Sequence, residues 1–225
     1  RSDTGDLHLK RHATWGMQVV TSSLFGMLRR LSPNSRQAAL SILCAYAIPS
    51  DATIYLWPFF AGKDENSEPD VVLEFMQDGR TAFWIVEVKW GAPLCLDQCA
   101  REIRTVNLGR RRGGGVPENE RNVLGYTLLG AEPHHQKAMA ELRRSVLNGL
   151  IGVPVEGIRS LEWTAVVESL RTLESQAGDR GFQSWSRLSL PCLPTLDRLK
   201  AGVSSLAHGG GLVAPSGKCS ALGTL

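Results

Sequence analysis

At 225 residues with 43% hydrophobic and 21% charged content, the chain can bury a proper core and fits one domain or one domain plus an appendage. A net charge of +3 and a pI near 8.7 permit contact with nucleic acid without demanding it, so charge alone identifies no partner. Five cysteines, an odd number without a C-x-x-C pair, exclude a fully paired disulfide framework and point to a reducing, cytoplasmic setting.

Trp15 to Arg30 carries apolar residues at helical spacing. Its uncharged run, Ala13 to Leu28, is 16 residues long, short of the roughly 20 needed to span a bilayer, so no membrane partner is expected. Ser32-Pro33 supplies a cap and first turn for a second helix that Pro49 ends. Thr53 to Phe60 alternates as a strand. Asp70 to Met76 and Thr81 to Trp90 flank Asp78-Gly79, a strong hairpin signal. Leu96 to Leu108 reads as a helix, Asn122 to Leu129 as a strand, and His134 to Leu150 as a helix with Met139, Leu142, Val146 and Leu150 on one face. Beyond it, Ser160 to Leu173 reads as an amphipathic helix capped by a Ser, and Phe182 to Leu199 as a segment that packs by its aromatic residues. From Ala207 the composition is that of a flexible tail. The expected organisation is a core over 1–150, a helical extension over 151–206 packed on it, and a tail over 207–225.

The hairpin has a chemical consequence. With Asp78 and Gly79 as a two-residue loop, Gln77 faces Arg80 and cross-strand partners sum to 157, which sets Asp70 directly opposite Glu87. Lys89 follows on the same face because side chains alternate along a strand. Two carboxylates this close repel unless a cation or hydrogen bonds compensate them, and oxygen donors suit Mg²⁺ or Mn²⁺. A solvated strand end is the ordinary reading of such residues. Trp84, Ile85, Val86, Val88 and Trp90 oppose it, since a strand apolar on both faces is central and buried, and charges inside it need a partner or a function.

Pro69-Asp70 with Glu87-Val88-Lys89 resembles the PD-(D/E)XK nuclease superfamily. The resemblance implies an α/β, restriction-endonuclease-like fold, a mixed sheet flanked by helices with an α-βββ-α-β core, followed here by the helical C-terminal extension. It implies that Asp70, Glu87 and the carbonyl of Val88 hold Mg²⁺ or Mn²⁺, that Lys89 assists water attack on a phosphodiester, and that Gln98 lies near the active site. The expected function is metal-dependent hydrolysis of nucleic acid, DNA first; nucleases of this kind often dimerise to cut two strands. Many members carry a further Glu on the first helix, whereas Leu7 to Ala47 contains no Asp or Glu; Asp3 and Asp6 are the acidic candidates upstream of Asp51, and Asp6 fills that role if the first helix starts early. The alternatives are a catalytically silent nuclease-fold protein that binds nucleic acid or a protein partner, and a purely structural ion network of Asp70, Glu87 and Lys89.

Arg101, Arg104, Arg110, Arg111 and Arg112 lie on the helix after the motif and the glycine-rich stretch behind it, a pattern that reads as phosphate contact or as a solvated loop. Cys95 and Cys99 share a helix face without a nearby histidine and read as packing residues. His134 and His135 read as solvent-facing.

Overall fold

The protein is described by a computed structural model over residues 18–112, 121–176, 178–191 and 193. Asp3, Asp6 and the tail from Ala207 lie outside these residues. The chain forms an α/β structure whose mixed five-stranded sheet has helices on both faces.

The Trp15–Arg30 segment is helical from Gln18 but not a regular α-helix: it contains a π-helical turn, Ser22–Gly26, and a 3-10 turn, Leu28–Arg30. The helix α1, Pro33–Cys44, begins as expected, with Ser32 accepting from Ser35 N–H and Pro33 at its first position. It stops earlier than Pro49 because Ala45 turns left-handed at φ 51°. The expected strand Thr53–Phe60 is two strands, β1 (Thr53–Leu56) and β2 (Phe60–Ala61), broken at Trp57, where φ is +49°. Strand β3 (Asn66–Ser67) follows, then β4 (Val71–Gln77) and β5 (Arg80–Val88). The β4–β5 register runs from Gln77↔Arg80 to Val71↔Val86, so partners sum to 157 as expected. Asp78 and Gly79 both have positive φ, 52° and 75°, the signature of the tight hairpin turn whose twist matches its strands.

Helix α2 occupies Leu96–Leu108. Arg110–Arg111 is a strand, β6, rather than loop, and pairs with β2; β2 also pairs with β3 to make a three-stranded sheet with order β3-β2-β6. Strand β7 is Arg121–Leu129, and helix α3, Gln136–Leu147, follows a 3-10 turn at Pro133–His135. Met139, Leu142 and Val146 are buried, but Leu150 lies past the end of α3 and is exposed. The expected Ser160 cap is a correction: Ile158–Leu161 is a strand, β8, and helix α4 starts at Trp163 and runs to Gln176. The 151–206 segment therefore contributes an edge strand to the main sheet as well as α4 and α5 (Arg180–Ser189). Phe182 and Trp185 of α5 are buried in the core, as the aromatic pattern implied.

The main sheet has the order β1-β4-β5-β7-β8, antiparallel across the first three strands and parallel across β5, β7 and β8. Two apolar layers cover it. Val71, Leu73, Trp84 and Val86 face α1, α4, α5 and the first helical segment, whereas Val72, Phe83, Ile85 and Tyr126 face α2 and α3. β5 is buried from Ala82 to Val88, as its continuous apolar run implied. Among the described residues no helix is long and apolar enough to cross a membrane.

Candidate functional site

Asp70 precedes β4, Glu87 and Val88 end β5, and Lys89 follows directly, so all four meet at one end of the sheet, where the parallel strands β5 and β7 finish. In open α/β sheets this carboxyl end is where ligands bind. Extending the β4–β5 register by one pair sets Asp70 opposite Glu87, and Val88 N–H donates to Asp70 Oδ2 at 2.9 Å. The alternation that places Val72 and Ile85 on the α2 face places Asp70, Glu87 and Lys89 there too.

Helix α2 closes the site from above. Lys89 Nζ lies 2.8 Å from Glu87 Oε1, with both residues nearly buried at 7% and 4% exposure. Gln98 joins them: its Nε2 donates to Glu87 Oε1 at 2.6 Å, and its Oε1 accepts from Lys89 Nζ at 3.4 Å. The same Nε2 donates to Glu102 Oε1 at 2.9 Å, and Tyr126 OH donates to Glu102 Oε2 at 2.9 Å.

Sequence reasoning missed Glu102. Its signal is spacing: it lies one turn after Gln98, hence on the same helix face, and it falls within the stripe of Cys99, Ile103 and Val106 that enters the core. A carboxylate in such a stripe requires partners.

Three carboxyl groups face one ammonium, so full ionisation would leave an excess of negative charge, and two of the three hold their protons instead. Burial, then the charge of Glu87, pushes Asp70 up to about 7, although the Val88 hydrogen bond opposes the shift. Burial and Glu87 likewise push Glu102 up to about 8, against the hydrogen bonds from Gln98 and Tyr126. Lys89 is raised: burial works against its charge, but Glu87, Asp70 and Glu102 outweigh it. Hard oxygen donors that otherwise need a proton to neutralise them fit a divalent cation, which can replace that proton. Among the described residues no group of three or more His, Cys, Asp or Glu side chains is placed to hold a metal ion. An ion at Asp70 and Glu87 would thus draw its other ligands from backbone, water and substrate oxygens, as Mg²⁺ commonly does.

The loop after Lys89 is held from three directions. Trp163 Nε1 donates to the Lys89 carbonyl at 3.1 Å, Gly91 N–H donates to Glu132 Oε1 at 2.9 Å, and His135 Nε2 meets the Ala92 carbonyl at 2.7 Å. His135 is buried, which corrects the solvent-facing expectation. Its Nδ1 accepts from Glu132 N–H at 3.0 Å, so Nε2 carries the proton and donates. The close packing needs a glycine at the end of β7: a Cβ on Gly130, whose φ is +87°, would lie 2.1 Å from the Lys89 carbonyl oxygen and 2.3 Å from Trp163 Nε1. Gly130→Ala is therefore expected to lower stability by about 2–3 kcal/mol in urea unfolding, and to displace Lys89.

The five arginines separate into different roles. Arg104 forms a two-pronged contact with Glu65 at 2.7 and 3.0 Å, which holds the Glu65 carboxyl below its ordinary range. Arg111 lies 3.9 Å over the Tyr55 ring and 3.9 Å from Glu74. Arg101 is half-buried, its Nε without a hydrogen-bond partner among the described residues. Arg110 and Arg112 are exposed. Cys44, Cys95 and Cys99 are free thiols; burial pushes Cys99 up to about 12, in keeping with a packing role.

No protein-family model matches the chain, and no curated protein is detectably similar to it in sequence.

Proposed function

We propose that this chain is a metal-dependent nuclease of the PD-(D/E)XK type, with a restriction-endonuclease-like core, that hydrolyses phosphodiester bonds, with DNA as the first substrate to test. One observation carries the reading: Asp70, Glu87 and Lys89 converge at the carboxyl end of the sheet, beneath Gln98, with more buried carboxyl groups than cations. Asp70 and Glu87, with the carbonyl of Val88, would hold Mg²⁺ or Mn²⁺, which when bound polarises a phosphoryl oxygen and lowers the pKa of water. Lys89 then has one ammonium to share between Glu87 and either the attacking water or the charge that grows on the phosphate oxygens. Gln98 fixes the pair by donating to Glu87 and accepting from Lys89, so neither side chain needs to reorganise as charge develops.

The test is cleavage of labelled single-stranded DNA, duplex DNA and RNA with Mg²⁺ or Mn²⁺, beside the same reactions in EDTA. Metal-dependent cutting that Asp70→Asn lowers by about 10²-fold or more is the expected result. A second reading is a silent nuclease-fold protein, favoured by the Lys89–Glu87 ion pair that already satisfies part of the site. Binding in EDTA with no cutting under any metal would select it.

A further inference from the structure

We propose that the outward face of the β3-β2-β6 sheet is a track for unpaired nucleic acid, on which Phe59 stacks against a base while Arg110 and Arg112 hold the adjoining phosphates. The register fixes this face. Phe60 pairs with Arg111 and Ala61 with Arg110, and Arg112 N–H donates to the Phe59 carbonyl at 3.0 Å, so Phe59 stands opposite Arg112. Phe60 is buried and Arg111 lies over Tyr55, which makes theirs the inner face. Alternation puts Phe59, Arg110 and Arg112 on the other face, where both arginines are exposed and Phe59 remains 39% exposed.

Phe59 stands opposite Arg112, with Arg110 opposite Ala61 two positions along, so an exposed ring and two guanidinium groups share one face. An aromatic face stacks on any base, whereas arginine forks bind phosphate oxygens. Together they suit a strand whose bases are unstacked; a duplex would offer its phosphates to the arginines and no base face to Phe59.

The track leads to the site. Two residues before Phe59, at most about 7 Å along an extended chain, Trp57 holds a left-handed conformation, φ +49°, ahead of a buried proline. Such a conformation is strained for a bulky side chain and persists where its surroundings require it. Its N–H donates to the Asp70 carbonyl at 3.0 Å. The bend therefore ties the aromatic track to the first residue of the candidate metal site. The inference rests on the nuclease reading for where the strand goes, and on the Phe59 face for what is bound.

Fluorescence anisotropy in EDTA tests the face without cutting, with labelled oligothymidylate, oligouridylate, an abasic strand of equal length and a duplex. Phe59→Ala is expected to weaken both base-bearing strands roughly 5- to 100-fold and to leave the abasic strand within about twofold, with Phe59→Tyr restoring the parent value. Arg110→Gln and Arg112→Gln are expected to weaken all strands, each lowering the salt slope by about 0.7. Phe59→Ala binding oligothymidylate like the parent, an equal loss on the abasic strand, tighter binding to duplex, or no binding to any probe would each overturn the proposal. Cleavage with Mn²⁺ is scored separately. A parent that binds through Phe59 without cutting loses the nuclease reading and keeps the track, and one that cuts with Phe59→Ala unaffected does the reverse.

Discussion

Lys89→Ala is expected to abolish metal-dependent cleavage and to destabilise the fold by about 3–5 kcal/mol, the usual effect of leaving one buried charge without its partner. Glu87 is 4% exposed and its Oε1 accepts from both Lys89 and Gln98; deleting the ammonium leaves a buried carboxylate without its cation, next to Asp70 and Glu102. Loss of activity in this variant alone would therefore be ambiguous between chemistry and unfolding. The double variant Glu87→Gln with Lys89→Met removes both charges at nearly constant volume and keeps an amide that Gln98 can engage. Replacing a buried pair in this way is often neutral or stabilising, so the double variant should melt near the parent and still not cut. If Lys89→Ala cuts as well as the parent, the site assignment is wrong. A double variant that recovers both stability and cutting would show the ion pair to be structural only.

The part of this site that could be read from sequence is the part that two local rules determine. Asp78-Gly79 sets the hairpin register, and strand alternation then carries Asp70, Glu87 and Lys89 onto one face, so a count along the chain suffices. Glu102 obeys no such rule. Its burial depends on α2 lying across the sheet so that Tyr126, on β7, can reach it, and helical periodicity counts apolar residues without marking a charge within their stripe. The break at Trp57 was hidden for a similar reason, because Thr53 to Phe60 alternates well enough to pass for one strand, and only the Trp-Pro pair hints at a bend. Ile158–Leu161 is short and runs almost directly into α4, so its apolar residues merged with the helical pattern; parallel pairing with β7, across more than 30 residues of chain, is what makes it a strand. His135 is buried through contacts with Ala92 and Glu132, the former 43 positions away.

In EDTA the protein is expected to lose stability as pH rises from about 6.5 to 8, and added Mn²⁺ should offset that loss. Asp70 and Glu102 ordinarily release their protons at 3.8 and 4.5 but hold them to about 7 and about 8 in the folded state. Between those limits the folded chain binds more protons than the unfolded one. The stabilisation is complete below the unfolded values and disappears as pH passes the folded ones, with a slope of at most about 1.4 kcal/mol per pH unit for each group. His135 has the opposite sign: burial lowers it from its ordinary 6.5, so its contribution is lost as pH falls, and it is silent above that value. The interval from 6.5 to 8 therefore isolates the carboxylates, and Lys89, raised above 10.5, titrates outside it. A divalent ion competes with the proton for Asp70, so the rise in melting temperature with Mn²⁺ should be larger at pH 8 than at pH 5.5. Glu102→Gln removes one of the two titrations and should flatten the EDTA curve while leaving the Mn²⁺ response in place, because the amide oxygen it introduces can still accept from Gln98 or Tyr126. Stability that is level or rising from pH 6.5 to 8 in both proteins would mean that the buried carboxylates are already neutralised by their neighbours, and the charge argument for a metal would fail with it.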